Sequence, residues 1–171
     1  MDAPTPVQDI SAGQQAFERD LEKALKGRSP EELGWAIPDS LTLLVPLWGE
    51  KTSGDRDFYL LRLYFDHYPA FPPSARFVNP ATLEYRYPED KSWVPNSPGH
   101  GEIQFHTNYS SGRGHADTQL ICCSQTLEFY TVNHSVEEQH LWNPAKHNFM
   151  STLSAIRRLM VPPYYQGRAE T

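Results

Sequence analysis

The only two cysteines of the chain, Cys122 and Cys123, are adjacent, and that adjacency limits their chemistry. Neighbouring cysteines cannot easily close a relaxed disulfide with each other. In a reducing compartment they are either a small buried pair filling the core, as free cysteine often does, or they contain a reactive thiol. In the stretch LICCS, strand alternation sets Ile121 and Cys123 on one face and Cys122 on the other. Spacing alone leaves open which sulfur does chemistry. Seven histidines raise the question of a metal. His106, His115, His134 and His140 flank the cysteines, yet their spacings match no compact zinc pattern, and two adjacent cysteines are poorly arranged to ligate one tetrahedral ion. No metal is expected. A histidine beside a thiol can instead lower its pKa or deprotonate an incoming amine. His115 and His134 are the candidates for that, set against the ordinary role of an exposed loop residue. The chain has no glycine-rich phosphate loop, and no cofactor is expected.

The elements that must position these groups start from bulk properties. At 171 residues the chain is long enough for one core and too short for two. A single domain is expected over residues 10–165, between a loose tail at 1–9 and a C-terminal tail at 166–171. Trp35, Trp48, Trp93 and Trp142 are spread along the length and argue for a packed interior. A formal charge of −6 gives no electrostatic reason to expect nucleic acid or a membrane surface as partner. No stretch approaches the roughly 20 apolar residues of a membrane span, and MDAPTPVQDI lacks the basic start and apolar run of a signal peptide. The expected location is the cytoplasm.

Along the chain, Ser11 to Lys26 has helical periodicity, with Phe17, Leu21, Ala24 and Leu25 on one stripe and Gly27 as its stop. A weak strand is expected around Trp35 to Ile37. Leu41 to Gly49 then alternates Leu41, Leu43, Val45 and Leu47 onto one face. The polar turn EKTSGDRD returns the chain through Phe58 to Phe65, whose Tyr59, Leu61, Leu63 and Phe65 form a wholly apolar face. Pro69, Pro72 and Pro73 cannot donate to a ladder, so the sheet pauses in a rigid corner before a strand at Ala75 to Val78. The outcome is a four-stranded antiparallel meander behind a helix, an α+β fold. From Asn79 to Thr118 the periodicity fades into a long loop rich in Pro, Gly, Asn and Ser, where only Glu102 to Phe105 reads as a short strand. Regular structure resumes at Gln119 to Cys123. A polar stretch near Asn133 to Gln139 precedes a helix over Lys146 to Met160, stopped by Pro162 and Pro163.

Taken in order, helix, meander, proline corner, long loop, cysteine, tryptophan and helix resemble the ubiquitin-conjugating enzymes. Tyr68, Pro69, Phe71, Pro72 and Pro73 are similar to the family's Tyr-Pro-Phe-x-Pro-Pro, with Phe71 one place later than the family aromatic. Ile121-Cys122 resembles the Ile-Cys that presents the family's thiol. Trp142-Asn143-Pro144-Ala145 resembles its Trp-x-Pro-Ala, and His106-Thr107-Asn108 stands where the family has His-Pro-Asn. The chain departs from the common pattern in three ways: Asn108 lies 14 positions before Cys122, Trp142 lies 20 positions after it, and the proline beside the asparagine is missing. These departures resemble divergent bacterial relatives from ubiquitin-like conjugation operons linked to phage defence.

The resemblance implies an acyl relay. A cysteine thiolate takes the C-terminal acyl group of a ubiquitin-like protein from an activating enzyme, holds it as a thioester and yields it to an amine on a target protein. Cys122 is the implied nucleophile, with Cys123 as the alternative. Asn108 is the implied donor to the oxyanion, or else an ordinary loop asparagine. A different class of function, a non-catalytic binding module of the same fold, would lack the thiol, which this chain has.

Overall fold

A computed structural model of the chain describes residues 10–109, 118–132 and 137–170. The expected tail at 1–9, His115 and His134 lie outside the described residues. The chain opens with helix α1, Ile10–Leu25, which turns Ala16, Phe17 and Asp20 inward. The helix ends as the backbone becomes left-handed at Lys26 (φ 51°) and Gly27 (φ 83°), the conformation in which glycine costs least.

Strands β1 (Ala36–Asp39), β2 (Thr42–Glu50), β3 (Arg56–Tyr64) and β4 (Ser74–Val78) form one antiparallel sheet in the order β1-β2-β3-β4. The register places Leu61 between Val45 and Phe77, and Leu63 between Leu43 and Ala75. Each of these side chains is buried on the same face, as are Leu47, Tyr59 and Phe65. Burying a large apolar side chain is worth roughly 1.5–3 kcal/mol, so this face fixes the register by its own weight. Phe65 is the hub of the core: Phe17 of α1 stacks on it at 3.9 Å, and Phe149 meets it edge-on at 5.6 Å. The other face of the sheet leaves Trp48 and Tyr64 exposed.

The proline corner is tied down from three sides. Its Tyr68-Pro69 peptide is cis. The buried Tyr68 hydroxyl donates to Asp20 of α1 at 2.5 Å and accepts the Phe149 N–H at 3.2 Å. Trp142 donates its indole N–H to the Pro69 carbonyl at 2.8 Å.

Beyond β4 the chain is more regular than its composition implies. Asp90 organises the segment after Val78, accepting from the Asn79 side-chain amide at 2.9 Å and from the Arg86 N–H at 2.8 Å. Strand β5 (Pro95–Asn96) follows, then β6 (Gln104–Tyr109), which pairs antiparallel with β7 (Thr118–Cys122). The strand expected at Glu102 to Phe105 is thus displaced, because its pairing partner is β7. This hairpin docks on β4 at Phe77: Gln119 accepts the Phe77 N–H at 2.7 Å and donates to the Phe77 carbonyl at 2.8 Å, as a neighbouring strand would, and Phe105 meets the Phe77 ring edge-on at 5.3 Å.

A short helix α2 (Leu127–Thr131), which the sequence reading left out, continues the seal. Its Glu128 accepts from the Ser74 hydroxyl and, at 3.2 Å, from the Ala75 N–H. Burial pushes the Glu128 carboxyl above its usual range, against the opposing effect of those donors. Helix α3 (Phe149–Arg158) is shorter than the Lys146 to Met160 expected, because Asn148 caps it by accepting the Met150 N–H at 2.9 Å.

The C-terminal residues differ from the expected tail at 166–171. Gly167–Arg168 forms β8, paired with β5. The Arg168 guanidinium lies 4.8 Å from the ring centres of both Tyr59 and Trp93. Tyr165 is buried, its hydroxyl 2.6 Å from that of Tyr59 and donating to Asp57 at 2.6 Å. Aromatic and hydrogen-bonded anchoring outweighs the polar composition of this segment. None of the described helices is long and apolar enough to cross a membrane.

Candidate functional site

Cys122 is the last residue of β7 and sits opposite Gln104 of β6. Leu120, Ile121 and Cys123 are buried, while Cys122 is half-buried. The turn after it is held by side chains. Thr126 donates its hydroxyl to the Ile121 carbonyl at 2.8 Å and to the Cys123 carbonyl at 3.0 Å. Thr152 of α3 donates to the Gln125 carbonyl at 2.7 Å. The Gln125 N–H points at the Cys123 sulfur from 3.4 Å. Both sulfurs are thus presented by a fixed turn.

That turn is connected to the proline corner through Trp142. The Tyr130 hydroxyl of α2 donates to the Ser124 carbonyl and accepts the Trp142 N–H, each at 2.8 Å. Trp142 in turn grips Pro69. A continuous chain of hydrogen bonds therefore runs from the corner to the residue two places after Cys122.

Burial disfavours the thiolate form of both cysteines. Burial raises the Cys122 pKa, and the neighbouring Cys123 adds to it. Burial also raises that of Cys123, opposed by the Gln125 N–H and by Arg158. A nucleophilic role for either sulfur needs a base or a bound partner to draw off its proton.

A groove of about 770 Å³ opens beside this turn. Cys123 and Ser124 form one wall of it, Glu102 and His140 another, and Ser154 and Arg158 of α3 a third. Glu102 and His140 form a pair, His140 Nδ1 to Glu102 Oε1, at 3.0 Å. Ser124 fixes residue 140 by donating its hydroxyl to the His140 carbonyl at 2.7 Å. The sequence reading noted His140 only as one of several histidines flanking the cysteines. Its partner lies 38 positions away, a separation that no local pattern signals.

Asn108 is not brought to the thiol. It is exposed on β6, four residues beyond the Gln104 that faces Cys122, or about 13 Å along a strand rising roughly 3.3 Å per residue. The hairpin register, which runs the cysteine to one end of β6 and the asparagine to the other, is the reason. The oxyanion role expected of Asn108 is corrected accordingly. Among the described residues, no group of three or more His, Cys, Asp or Glu side chains is arranged to hold a metal ion. No protein-family model matches this chain, and no curated protein or solved structure matches it either.

Proposed function

We propose that this chain is a ubiquitin-conjugating-like acyltransferase of the cytoplasm, with a UBC-like fold and Cys122 as its thioester-forming residue. The reading rests on one observation above others. The half-exposed Cys122 precedes a turn that is hydrogen-bonded through Tyr130 and Trp142 to the Pro69 corner. The three stretches that carried the resemblance, far apart in sequence, are thus parts of one structure. The order of helix, four-stranded meander and C-terminal helix supports the same reading.

In the proposed reaction the Cys122 thiolate attacks the carbonyl of an activated ubiquitin-like protein on its activating enzyme. The acyl group moves from one sulfur to the other, and an amine on a target protein later displaces it. Bacterial antiphage conjugation is the proposed setting. Burial disfavours both thiolates, so a base or a bound partner has to draw off the proton. Cys123 is a second reading for the nucleophile, favoured by its place in the wall of the groove.

The test is to incubate the protein with a candidate activating enzyme, its ubiquitin-like protein and ATP, and resolve the mixture on a non-reducing gel. A thiol-sensitive adduct lost in Cys122→Ala and kept in Cys123→Ala is expected. An adduct with the reverse dependence moves the chemistry to Cys123. No adduct, with a partner that charges itself normally, leaves a non-catalytic binding module of the same fold.

A further inference from the structure

Arg62 of β3 and Arg76 of β4 are directly opposite each other in the antiparallel register. The pairs on either side of them, Leu61 with Phe77 and Leu63 with Ala75, are buried in the core. Alternation therefore sets both arginines on the other face of the sheet, where each is half-buried. Residues so opposed have Cβ atoms roughly 4.5–5.5 Å apart, and like charges in that position are destabilising. The two guanidinium groups do act on each other: the Arg62 pKa is lowered, by burial first and by Arg76 second.

Among the described residues neither arginine has an ion pair. Two carboxylates act on Arg62 from farther off, Glu84 and Glu128, and both are engaged elsewhere. Glu84 pairs with Arg86 at 3.9 Å, and Glu128 accepts from the Ser74 hydroxyl and the Ala75 N–H. Arg62 Nη1 donates to the Leu83 carbonyl at 3.1 Å, which fixes that guanidinium in place. Tyr64 and Ser74 form the next pair along the same face, and the Tyr64 ring is exposed.

Two half-buried cations held side by side without a counter-charge are matched by an anion from outside. A carboxylate brings one charge, and a single guanidinium fork already satisfies its two oxygens. A phosphate monoester brings about −1.5 to −2 charges at pH 7 and three terminal oxygens, enough for both forks. We infer that Arg62 and Arg76 form a binding site for a phosphate monoester dianion, with the Tyr64 ring beside it to receive the organic group of the ester. The formal charge of the chain is −6, so attraction of such an anion has to come from the local pair rather than from the protein as a whole. The inference uses neither thiol nor the groove beside them, and it stands apart from the conjugating reading.

The test is to titrate the full chain with phenyl phosphate, inorganic phosphate and acetate near neutral pH, at constant ionic strength, and to follow binding by isothermal titration calorimetry. Phenyl phosphate is expected to saturate one site and to bind about tenfold or more tightly than acetate. Inorganic phosphate binding as tightly as phenyl phosphate shows that the phosphoryl group alone is read. An advantage of phenyl phosphate that Tyr64→Ala removes shows that the site takes an aromatic ester. Arg62→Gln and Arg76→Gln should each weaken phosphate binding by about 10- to 100-fold, the worth of a hydrogen bond to a charged group. Arg76→Lys keeps the charge and loses the fork, so it should fall between parent and Arg76→Gln. Unchanged melting temperatures verify folding, and Arg76→Lys carries the test if a glutamine variant unfolds. Absence of saturable phosphate binding overturns the inference, as does acetate binding as tightly as phosphate, or a folded Arg76→Gln or Arg76→Lys variant that binds within twofold of the parent.

Discussion

Replacing Tyr68 with phenylalanine removes one oxygen atom at the point where α1, the proline corner and α3 meet. The hydroxyl is buried with Asp20, to which it donates at 2.5 Å, and it accepts the Phe149 N–H at 3.2 Å. Losing a hydrogen bond to a charged acceptor costs about 1.5–3 kcal/mol, and leaving a buried amide without an acceptor costs about 1–3 kcal/mol. Asp20 keeps Arg19 at 3.3 Å, but Phe149 N–H has no substitute because its residue is fully buried. The expected loss is therefore about 3–5 kcal/mol, or a fall of about 6–20 °C in Tm for a chain of this size. Burial and the Asp20 carboxylate hold the phenol well above its ordinary pKa. A raised folded pKa leaves its contribution full below the ordinary value of 10.0 and lost as pH rises above it, so the loss should be the same at pH 7 and pH 9. Urea denaturation of both proteins at pH 7 and pH 9, followed by tryptophan fluorescence, measures it. Asp20→Asn in a double-mutant cycle isolates the share owed to the carboxylate. A loss below 1 kcal/mol, or zero coupling between Tyr68 and Asp20, would refute the claim that this hydroxyl joins the three elements.

Two other perturbations address separate parts of the fold. A Cβ on Gly49 would fall 2.3 Å from the Tyr165 ring, so Gly49→Ala should cost about 1–3 kcal/mol by overpacking and speed amide hydrogen exchange at Gln166 and Ala169, which bond to Asn96 and Val94. The carboxyl of Glu128 has a raised folded-state pKa, so the neutral form is the one the fold favours. Its contribution to stability is full below the ordinary value of 4.5 and is lost as pH rises through the folded value. Glu128→Gln should flatten that part of a denaturation-against-pH curve and leave the variant at least as stable as the parent at pH 7; an unchanged slope would show that the carboxyl is not buried as described.

How much of this was legible in the sequence depended on how local the cause was. The alternation in β2 and β3 specified one buried face, and Leu43, Val45, Leu61 and Leu63 lie on it. What could not be read was set by contacts between distant residues. Gln119 is polar and still buried, because its amide replaces a strand at Phe77. Arg168 looks like tail composition, yet two aromatic rings from elsewhere in the chain hold it. Asn108 was matched by its position in a motif, while the β6–β7 register decided its distance from the thiol. The Glu102–His140 pair had no signature because neither residue has its partner within a turn or strand.

The side chains that close off β4 have a consequence for how this protein meets others. An unpaired sheet edge invites a strand from a second molecule, the route to fibrils and domain-swapped assemblies. Here Gln119 uses the N–H and carbonyl of Phe77, and Glu128 uses the N–H of Ala75. The opposite edge is the short β1, whose Pro38 has no N–H to give and whose pairing with β2 is irregular. With both rims blunted, the sheet resists extension by strand addition. Contacts with other molecules are then left to side-chain surfaces, without edge-to-edge polymerisation.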